Sequence, residues 1–416
     1  MASDDDKIPL PLEGTRILDA THILAGPFCS MILADMGAEV IKIERPKGGD
    51  RRRNNEPFIE KPDGRRMSAP FLAVNRNKKS ITLDLRDPRG KQVFQNMVRA
   101  SDVLLENWGP GALRRLGLGF DDLRLLNPGL VYASITGYGD SKELQGPYSK
   151  WPANNGAAQG MSGYMQVTGP PDAPPQMLGE PIGDTVPGLW TALGIVLALE
   201  ARRKTGVGQH VDMAMYDCLV AHTTNAMPRY QATGQITGRS NKGEQGNMRS
   251  LATKLEANDG FAVISGTGGG EEKWVALWRL IGMEELSQDP RYLCKGVSDE
   301  FYFENIVPAI EAWSLHRSKW EVTEKLNAIG FSMGVVQDQA DLDRCPHLEA
   351  RNMFVHTGDG LGGSFRMVNT PIHLIGCVGT PARTPPLLGE HNMEILCGIG
   401  GLTPEELDQL QADGTV

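Results

Sequence analysis

From Gly14 onward the chain alternates strand-like and helix-like segments, and this alternation restricts its fold more than any other feature. RILDAT is followed by PFCSMILADMGA and EVIKIER; after a polar loop come SITLDL, PRGKQVFQNMVRA and DVLLEN. Strand and helix in turn specify an α/β domain with a largely parallel sheet, because parallel neighbours need a crossover helix. GLVYASITGY (129–138) adds a further strand rich in β-formers. A helix beginning near Pro187 ends at Thr205-Gly206, with Arg202, Arg203 and Lys204 in its last turn, where the macrodipole favours cations.

At 416 residues the chain exceeds the size at which one core normally keeps growing, so more than one domain is expected. The α/β pattern fills residues 1–222. A Gly- and Asn-rich stretch, TGRSNKGEQGNMRS, then leads into FAVISGTGGGEEKWVALWRLIG, the entry to a smaller α+β domain over 223–335. Residues 336–416 contain the Pro-rich PARTPPLLGEH and a final TPEELDQLQ helix, which suits a segment returning to the large domain or embracing a partner subunit.

A formal net charge of −9 argues against a broad nucleic-acid surface, so any bound phosphate must be met by a local cation cluster. Six scattered cysteines form no C-x-x-C pair and no zinc spacing, so no metal site is expected and free thiols in a reducing compartment are the simple reading. The acidic start has no apolar signal core, and the apolar run near Leu189–Leu199 is too short to span a bilayer. The expectation is a soluble, cytoplasmic protein without membrane or nucleic-acid partners.

Several familiar sites are missing. No G-x-G-x-x-G follows the first strand, where DATHILAGPF stands, and there is no G-x-x-x-x-G-K-[ST] and no G-x-S-x-G elbow. The segment GDTVPG is more informative. Asp184 lies three residues before Pro187, so Asp184 or Thr185 suits a helix cap. A carboxylate on a Gly-flanked turn is equally suited to attack an acyl carbon and form an anhydride. Sequence physics does not choose between cap and reagent.

Separated segments resemble the family III CoA-transferases, the group containing formyl-CoA transferase and carnitine CoA-transferase. They are ILDATHILAGPFCSMILADMGAEVIKIERP (17–46), NKKSITLDLRDPRG (77–90), LLENWGPGALRRLGLGFDDLRLLNPGLVYASITGYG (104–139), the stretch from GDTVPG through TGVGQHVDMAMYD, and PPLLGEHN (385–392). The resemblance implies a large Rossmann-like, doubly wound domain, a smaller α+β domain and an interlocked homodimer. It implies an acyl-CoA:carboxylate CoA-transferase with Asp184 as the covalent nucleophile, a CoA thioester as substrate and no tightly bound cofactor. The second partner is a small carboxylic acid.

The family's CoA contacts carry over onto Leu24 and Ala25 beside the pantetheine thiol, Arg45 at the phosphates, and Leu83, Asp84, Leu85 and Arg86 with Asn107, Trp108 and Gly109 around adenine and ribose. Arg115 and the segment Pro152, Ala153, Asn154 and Asn155 complete the set. His22 and Arg53 are candidate substrate contacts, Arg53 through a bidentate hold on a carboxylate. Gly243 and Gly246 lie in a Gly-rich segment that shields the acylated residue in some relatives, or is a plain linker here. At 154–155 relatives commonly carry an aromatic followed by an acid, and the sister acyl-CoA racemases a His-Asp pair. Asn154 is no base, which disfavours racemisation. A non-catalytic CoA-binding subunit is a further alternative, opposed by the retained Gly183-Asp184 pair.

Overall fold

The computed structural model describes residues 8–239, 252–265, 270–294, 297–378 and 382–416. The chain forms two compact units. One comprises residues 1–165, 177–225 and 348–416, and the other 166–176 and 226–347. The second unit thus takes up a short excursion at 166–176 and continues to His347, beyond the boundary at 335 that composition suggests.

The first unit is built on six parallel strands: β1 (Arg16–Asp19), β2 (Glu39–Glu44), β3 (Lys78–Thr82), β4 (Val103–Glu106), β5 (Val131–Thr136) and β6 (His210–Ala214). They are ordered β3-β2-β1-β4-β5-β6, the doubly wound arrangement. Apolar side chains such as Ile17, Leu18, Ile41, Leu104 and Val131 are sealed from solvent, as expected for strands covered on both faces. Helix α1 (Ala25–Asp35) contributes Cys29, Leu33 and Ala34 to one core, while α2 (Pro88–Arg99) places Val93, Phe94, Met97 and Val98 in the other.

The C-terminal tail completes this second core with Ile395, Leu396, Leu407 and Leu410. It is tied to β3 by His391 N–H donating to Ser80 O at 2.9 Å and Thr82 N–H donating to Asn392 Oδ1 at 2.9 Å. Asp84 N–H donates to Thr415 O at 2.8 Å, which brings the last residues to the carboxyl end of the sheet.

Helix α3 (Ile182–Thr205) is longer than the apolar run suggests, and by length and composition it is apolar enough to cross a membrane. Its inner face is nevertheless packed: Thr191, Ala192, Ile195 and Ala198 are buried, and a Cβ on Gly188 would meet Ala25 O at 2.7 Å. That close approach requires glycine. Gly206, at φ 75°, ends the helix in the left-handed conformation. The outer face carries Leu189, Trp190, Leu193, Val196 and Leu197, all exposed.

The second unit carries a three-stranded antiparallel sheet, Ala252–Ala257, Gly260–Ser265 and Ser332–Val335. Its core is aromatic, with Trp274, Trp278 and Tyr302 fully enclosed among Ile310, Val322 and Leu326.

Candidate active site

In a doubly wound sheet the crevice opens where strand order reverses, outside the carboxyl ends of the strands on either side. Here that point lies between β1 and β4, and it carries a cavity of about 540 Å³. The loops after all four strands on this side line it: Ala20, Thr21 and His22 after β1, Arg45, Pro46 and Lys47 after β2, Leu83 to Arg86 after β3, and Trp108 and Gly109 after β4. Arg45, Lys47, Arg51 and Arg86 give this wall a local positive charge on an acidic protein. Cations, apolar surface and an indole together suit a phosphorylated nucleotide.

Trp108 is fixed at both ends of its backbone and ring. Its N–H donates to Glu106 Oε2 at 2.7 Å and its indole Nε1–H to Ala20 O at 2.7 Å. Burial pushes the Glu106 carboxyl up to about 8, and the Asp140 charge adds to it, while the Trp108 N–H and Tyr132 hydroxyl act against it. Asn107 does not line the cavity; it brackets His22, accepting from His22 N–H at 2.9 Å and donating to His22 O at 2.8 Å. Burial lowers the His22 pKa, and Lys42, Arg51 and Arg45 lower it further against the pull of Asp50, so the imidazole is neutral at pH 7.

Beneath the cavity lies a fully buried set of charges. Lys42 Nζ sits 2.9 Å from Asp50 Oδ2 and donates to Thr21 O at 2.9 Å; Lys78 Nζ donates to Asp19 Oδ2 at 3.1 Å. Burial penalises Lys42, yet Asp19 and Asp50 outweigh it and raise its pKa, so it stays charged. The other oxygen of Asp50 accepts from Ile23 N–H at 3.0 Å and Arg52 N–H at 2.9 Å. Ile23 is held at φ 69°, a left-handed conformation that a β-branched residue adopts only under constraint. Asp50 therefore holds the His22–Ile23 corner and the Arg51–Asn54 turn to one point.

Asp184 stands in the first turn of α3, but it is not the cap. The N-cap position is Pro181, and no side chain caps the helix. The neighbouring backbone is pinned instead, because Gly183 N–H donates to Asn155 Oδ1 at 2.9 Å and a Cβ on Gly183 would collide with Asn155. No hydrogen-bond donor among the described residues reaches the half-buried Asp184 carboxylate. Burial pushes its pKa up to about 6, against the opposing field of Arg52. The helix N-terminus favours the anion, but desolvation is the larger effect.

The remaining expected contacts distribute as follows. Arg45, Leu83, Asp84, Leu85, Arg86, Trp108, Gly109 and His22 converge on the cavity. Leu24 and Ala25 are buried, with Leu24 at the N-cap of α1 and Ala25 against Gly188. Ala153 packs on Gly137, and Asn154 Oδ1 caps the 155–161 helix by accepting from Ala157 N–H at 3.0 Å; neither Pro152 nor Ala153 lines the cavity. Arg115 is not among the residues that line the cavity; its exposed side chain donates to Pro110 O at 3.0 Å.

Arg53 is a correction. Its Nε and Nη2 make 2.7 Å bonds to the two oxygens of Glu44, Nη2 also reaches Pro386 O, and the guanidinium covers the Phe71 ring at 3.8 Å. Its Nε–Nη2 edge is taken by Glu44, with Nη2 shared with Pro386 O, so the bidentate hold expected of that edge goes to Glu44 and not to a substrate carboxylate. Gly243 and Gly246 lie outside the described residues.

Sequence reasoning missed Thr21, Lys47, Arg51, Ala112 and Gly414 on the cavity wall. The run KGGDRRR, four cations in one turn after a strand, carried the signal for Lys47 and Arg51. Nothing local marks Gly414, which arrives through the returning tail.

The sequence model of CoA-transferase family III matches residues 12–392. The chain belongs to this family. The succinyl-CoA–D-citramalate CoA-transferase of Chloroflexus aurantiacus is 35% identical over 97% of this chain and 98% of its own length. The formyl-CoA:oxalate CoA-transferase of Streptomyces avermitilis is 36% identical over 97% and 99%. A CaiB/BaiF family protein from Brucella suis, known by crystal structure, superposes with a TM-score of 0.83 at 31% identity, covering 94% of this chain and all of that one. CoA transfer with a CoA thioester is thus the class of reaction of this transferase. Among the described residues no cluster of His, Cys, Asp and Glu could hold a metal ion.

Proposed function

We propose that this transferase moves CoA from an acyl-CoA donor to a small carboxylic acid, with Asp184 as the covalent nucleophile. The observation that carries the reading is the Asp184 carboxylate itself: half-buried, free of hydrogen-bond donors among the described residues, and more basic than an ordinary aspartate. A carboxylate stripped of solvation is a better nucleophile, and hydrogen bonds that would stabilise it in the resting state are absent.

Asp184 attacks the thioester carbonyl, the C–S bond breaks, and CoA leaves as the thiolate from a mixed anhydride. The thiolate then attacks the aspartyl carbonyl and releases the donor acid, leaving an aspartyl-CoA thioester. The acceptor carboxylate attacks that thioester and expels the thiolate again. Return of the thiolate to the acceptor's acyl carbon frees Asp184 and the new acyl-CoA. Each step exchanges one acyl bond for another, so no oxidant, metal or net proton is needed.

CoA lies with its phosphates among Arg45, Lys47, Arg51 and Arg86 and its base beside Trp108, in keeping with the cavity wall. Relatives named for succinate–glutarate and formyl-CoA:oxalate transfer support small acids as partners. Racemisation is disfavoured, since Asn154, at the position of a base, is an amide engaged in capping. We further propose a homodimer in the cytoplasm, the exposed stripe Leu189, Leu193, Val196 and Leu197 on α3 being the kind of surface a second copy covers.

The test is a donor-by-acceptor screen read by the masses of the CoA esters formed. A new ester that depends on both an acyl-CoA and an added acid is expected, and its formation must vanish in Asp184→Ala. Full transfer by Asp184→Ala on its true substrate pair overturns the mechanism.

A further inference from the structure

β3 is an edge strand, and the returning tail meets its outward N–H groups one after another. Ser80 N–H donates to His391 Nδ1 at 3.2 Å, Thr82 N–H to Asn392 Oδ1 at 2.9 Å and Asp84 N–H to Thr415 O at 2.8 Å, while Leu83 N–H between them turns inward to Glu44 O at 2.8 Å. Steps of two are those of one edge of a strand, where unpaired N–H groups need cover. The first two contacts close the strand itself. The third lies past its end, in the loop that lines the cavity, and is made by a residue that follows the last helix, Pro404–Ala412.

Thr415 is itself held on several sides. Its N–H and that of Val416 both donate to Leu410 O, at 2.9 and 3.2 Å, and Val416 packs on the core that contains Leu407 and Leu410. The buried Thr415 hydroxyl donates to Asp87 Oδ2 at 2.8 Å and accepts from Arg89 Nη2 at 3.2 Å. Arg89 closes the clamp, with Nη2 2.8 Å from Asp87 Oδ2 and Nη1 2.6 Å from Asp413 Oδ2. Asp87 is the N-cap of α2, so the β3–α2 loop is tied to the tail at both Asp84 and Asp87. A Cβ on Gly90 would meet Asp84 O at 2.3 Å and Thr415 Cγ2 at 3.3 Å, which leaves helix, loop and tail no room to shift.

Exposed ion pairs such as Arg89–Asp413 add little to stability, so the work of the clamp is geometric. Leu83 and Leu85 are sunk in the core, and Asp84 and Asp87 are tied to the tail. Arg86 is thereby carried on a short, fixed span. It takes no part in the clamp and lines the cavity together with Asp84, Leu85 and Gly414. Release of the tail would free Asp84 N–H and Asp87 and let Arg86 leave the place where a phosphate is met.

Resting on the reading that CoA occupies this cavity, we infer that Thr415 is a positioning residue for the nucleotide end of CoA, acting through its carbonyl on Asp84 and its hydroxyl on Asp87. CoA binding and docking of the tail are then coupled, and the coupling is reciprocal: a docked tail tightens CoA, and CoA holds the tail down.

Calorimetric titration of full-length protein with CoA should show Thr415→Val, isosteric but without the hydroxyl, binding roughly 10-fold more weakly, and Thr415→Ser within about twofold of the native chain. Asp413→Ala, which removes only the outer partner of Arg89, should weaken CoA by about threefold. Thermal melting of each variant establishes that it is folded. Amide exchange read by mass separates positioning from a merely structural tail: CoA should slow exchange in peptides covering 83–87 and 407–416 together by roughly 5-fold or more, and Thr415→Val should lose this protection. In kinetics on the acyl-CoA donor found by ester screening, the loss should appear in KM, with kcat changed by less than about twofold.

CoA affinity unchanged in Thr415→Val, or in Asp413→Ala where Thr415→Val does not fold, overturns the inference, as does tail exchange indifferent to CoA. The cavity reading fails separately, if Arg45→Met and Arg86→Met both leave CoA affinity unchanged.

Discussion

The buried interiors of the two units are made of different material. The second unit encloses Trp274, Trp278 and Tyr302 in an apolar core, the usual solution to stability. The first unit encloses, beneath its cavity, Asp19, Lys42, Glu44, Asp50 and Lys78, all at most 4% exposed. Burying charges costs more than burying rings, and such pairs are weak stabilisers compared with apolar residues of similar size. Their value is positional: one carboxylate, Asp50, holds the conformation of Ile23 and the turn bearing Arg51 and Arg52, and pairs with Lys42, whose charge Asp19 and Asp50 together sustain. The aromatic core holds a shape, whereas the charged floor aims functional groups.

Several outcomes sharpen that contrast, beginning with the largest. Asp184→Ala should reduce transfer by about 10⁴-fold or more, since the nucleophile has no substitute; kinetics on the pair found by ester screening will measure it. Lys42→Met and Trp274→Ala should each cost about 3–5 kcal/mol of stability, the first by stranding Asp50 and the second by opening a cavity. Denaturant titration measures both. The two should part company in acylation assayed at a temperature where each is folded: Lys42→Met loses more than ~10-fold as the Asp50 corner loosens, and Trp274→Ala stays within about threefold. Equal losses would erase the distinction between floor and core.

Smaller effects follow at the rim. Arg86→Met should weaken CoA by about 10-fold, one charge-assisted contact, measured by competition against acyl-CoA turnover. Because burial raises the Asp184 pKa to about 6, kcat/KM for acyl-CoA should be level above about pH 7 and fall tenfold per unit below about pH 6. Loss of the Arg52 cation removes an influence favouring the anion, so Arg52→Met should move that limb to higher pH.

The same shift has a stability sign. With the folded pKa above the ordinary 3.8, the ionised carboxylate destabilises the fold above about pH 6, and the cost disappears as pH falls towards 3.8. Asp184→Asn should therefore melt higher by about 2 °C at pH 7, after discounting for partial exposure, and show no gain near pH 4.

The alternation of segments was enough to foresee a parallel α/β sheet, because period and turn chemistry are local. Local sequence also exposed the ambiguity of Asp184, and the structure resolves half of it: Pro181, not Asp184, stands at the cap. What local sequence could not supply was which of three adjacent arginines is free. Arg51, Arg52 and Arg53 are identical in type, and Glu44, Pro70 and Phe71, from other segments, decide their roles. The place of Gly414 on the cavity wall and the recruitment of residues 166–176 into the second unit likewise depend on contacts far apart in the chain. Pro187 marks a helix start by local sequence, whereas α3 begins a turn earlier, at Ile182, and carries Pro187 inside it.

The central claim is that Asp184 carries the acyl group. Full-length protein should be incubated with its acyl-CoA donor in the presence of hydroxylamine, digested, and the peptide containing Asp184 weighed. The account predicts a hydroxamate at Asp184 that requires the acyl-CoA. Transfer activity retained in hydroxylamine with an unmodified Asp184 peptide, or a hydroxamate on another residue, would contradict it.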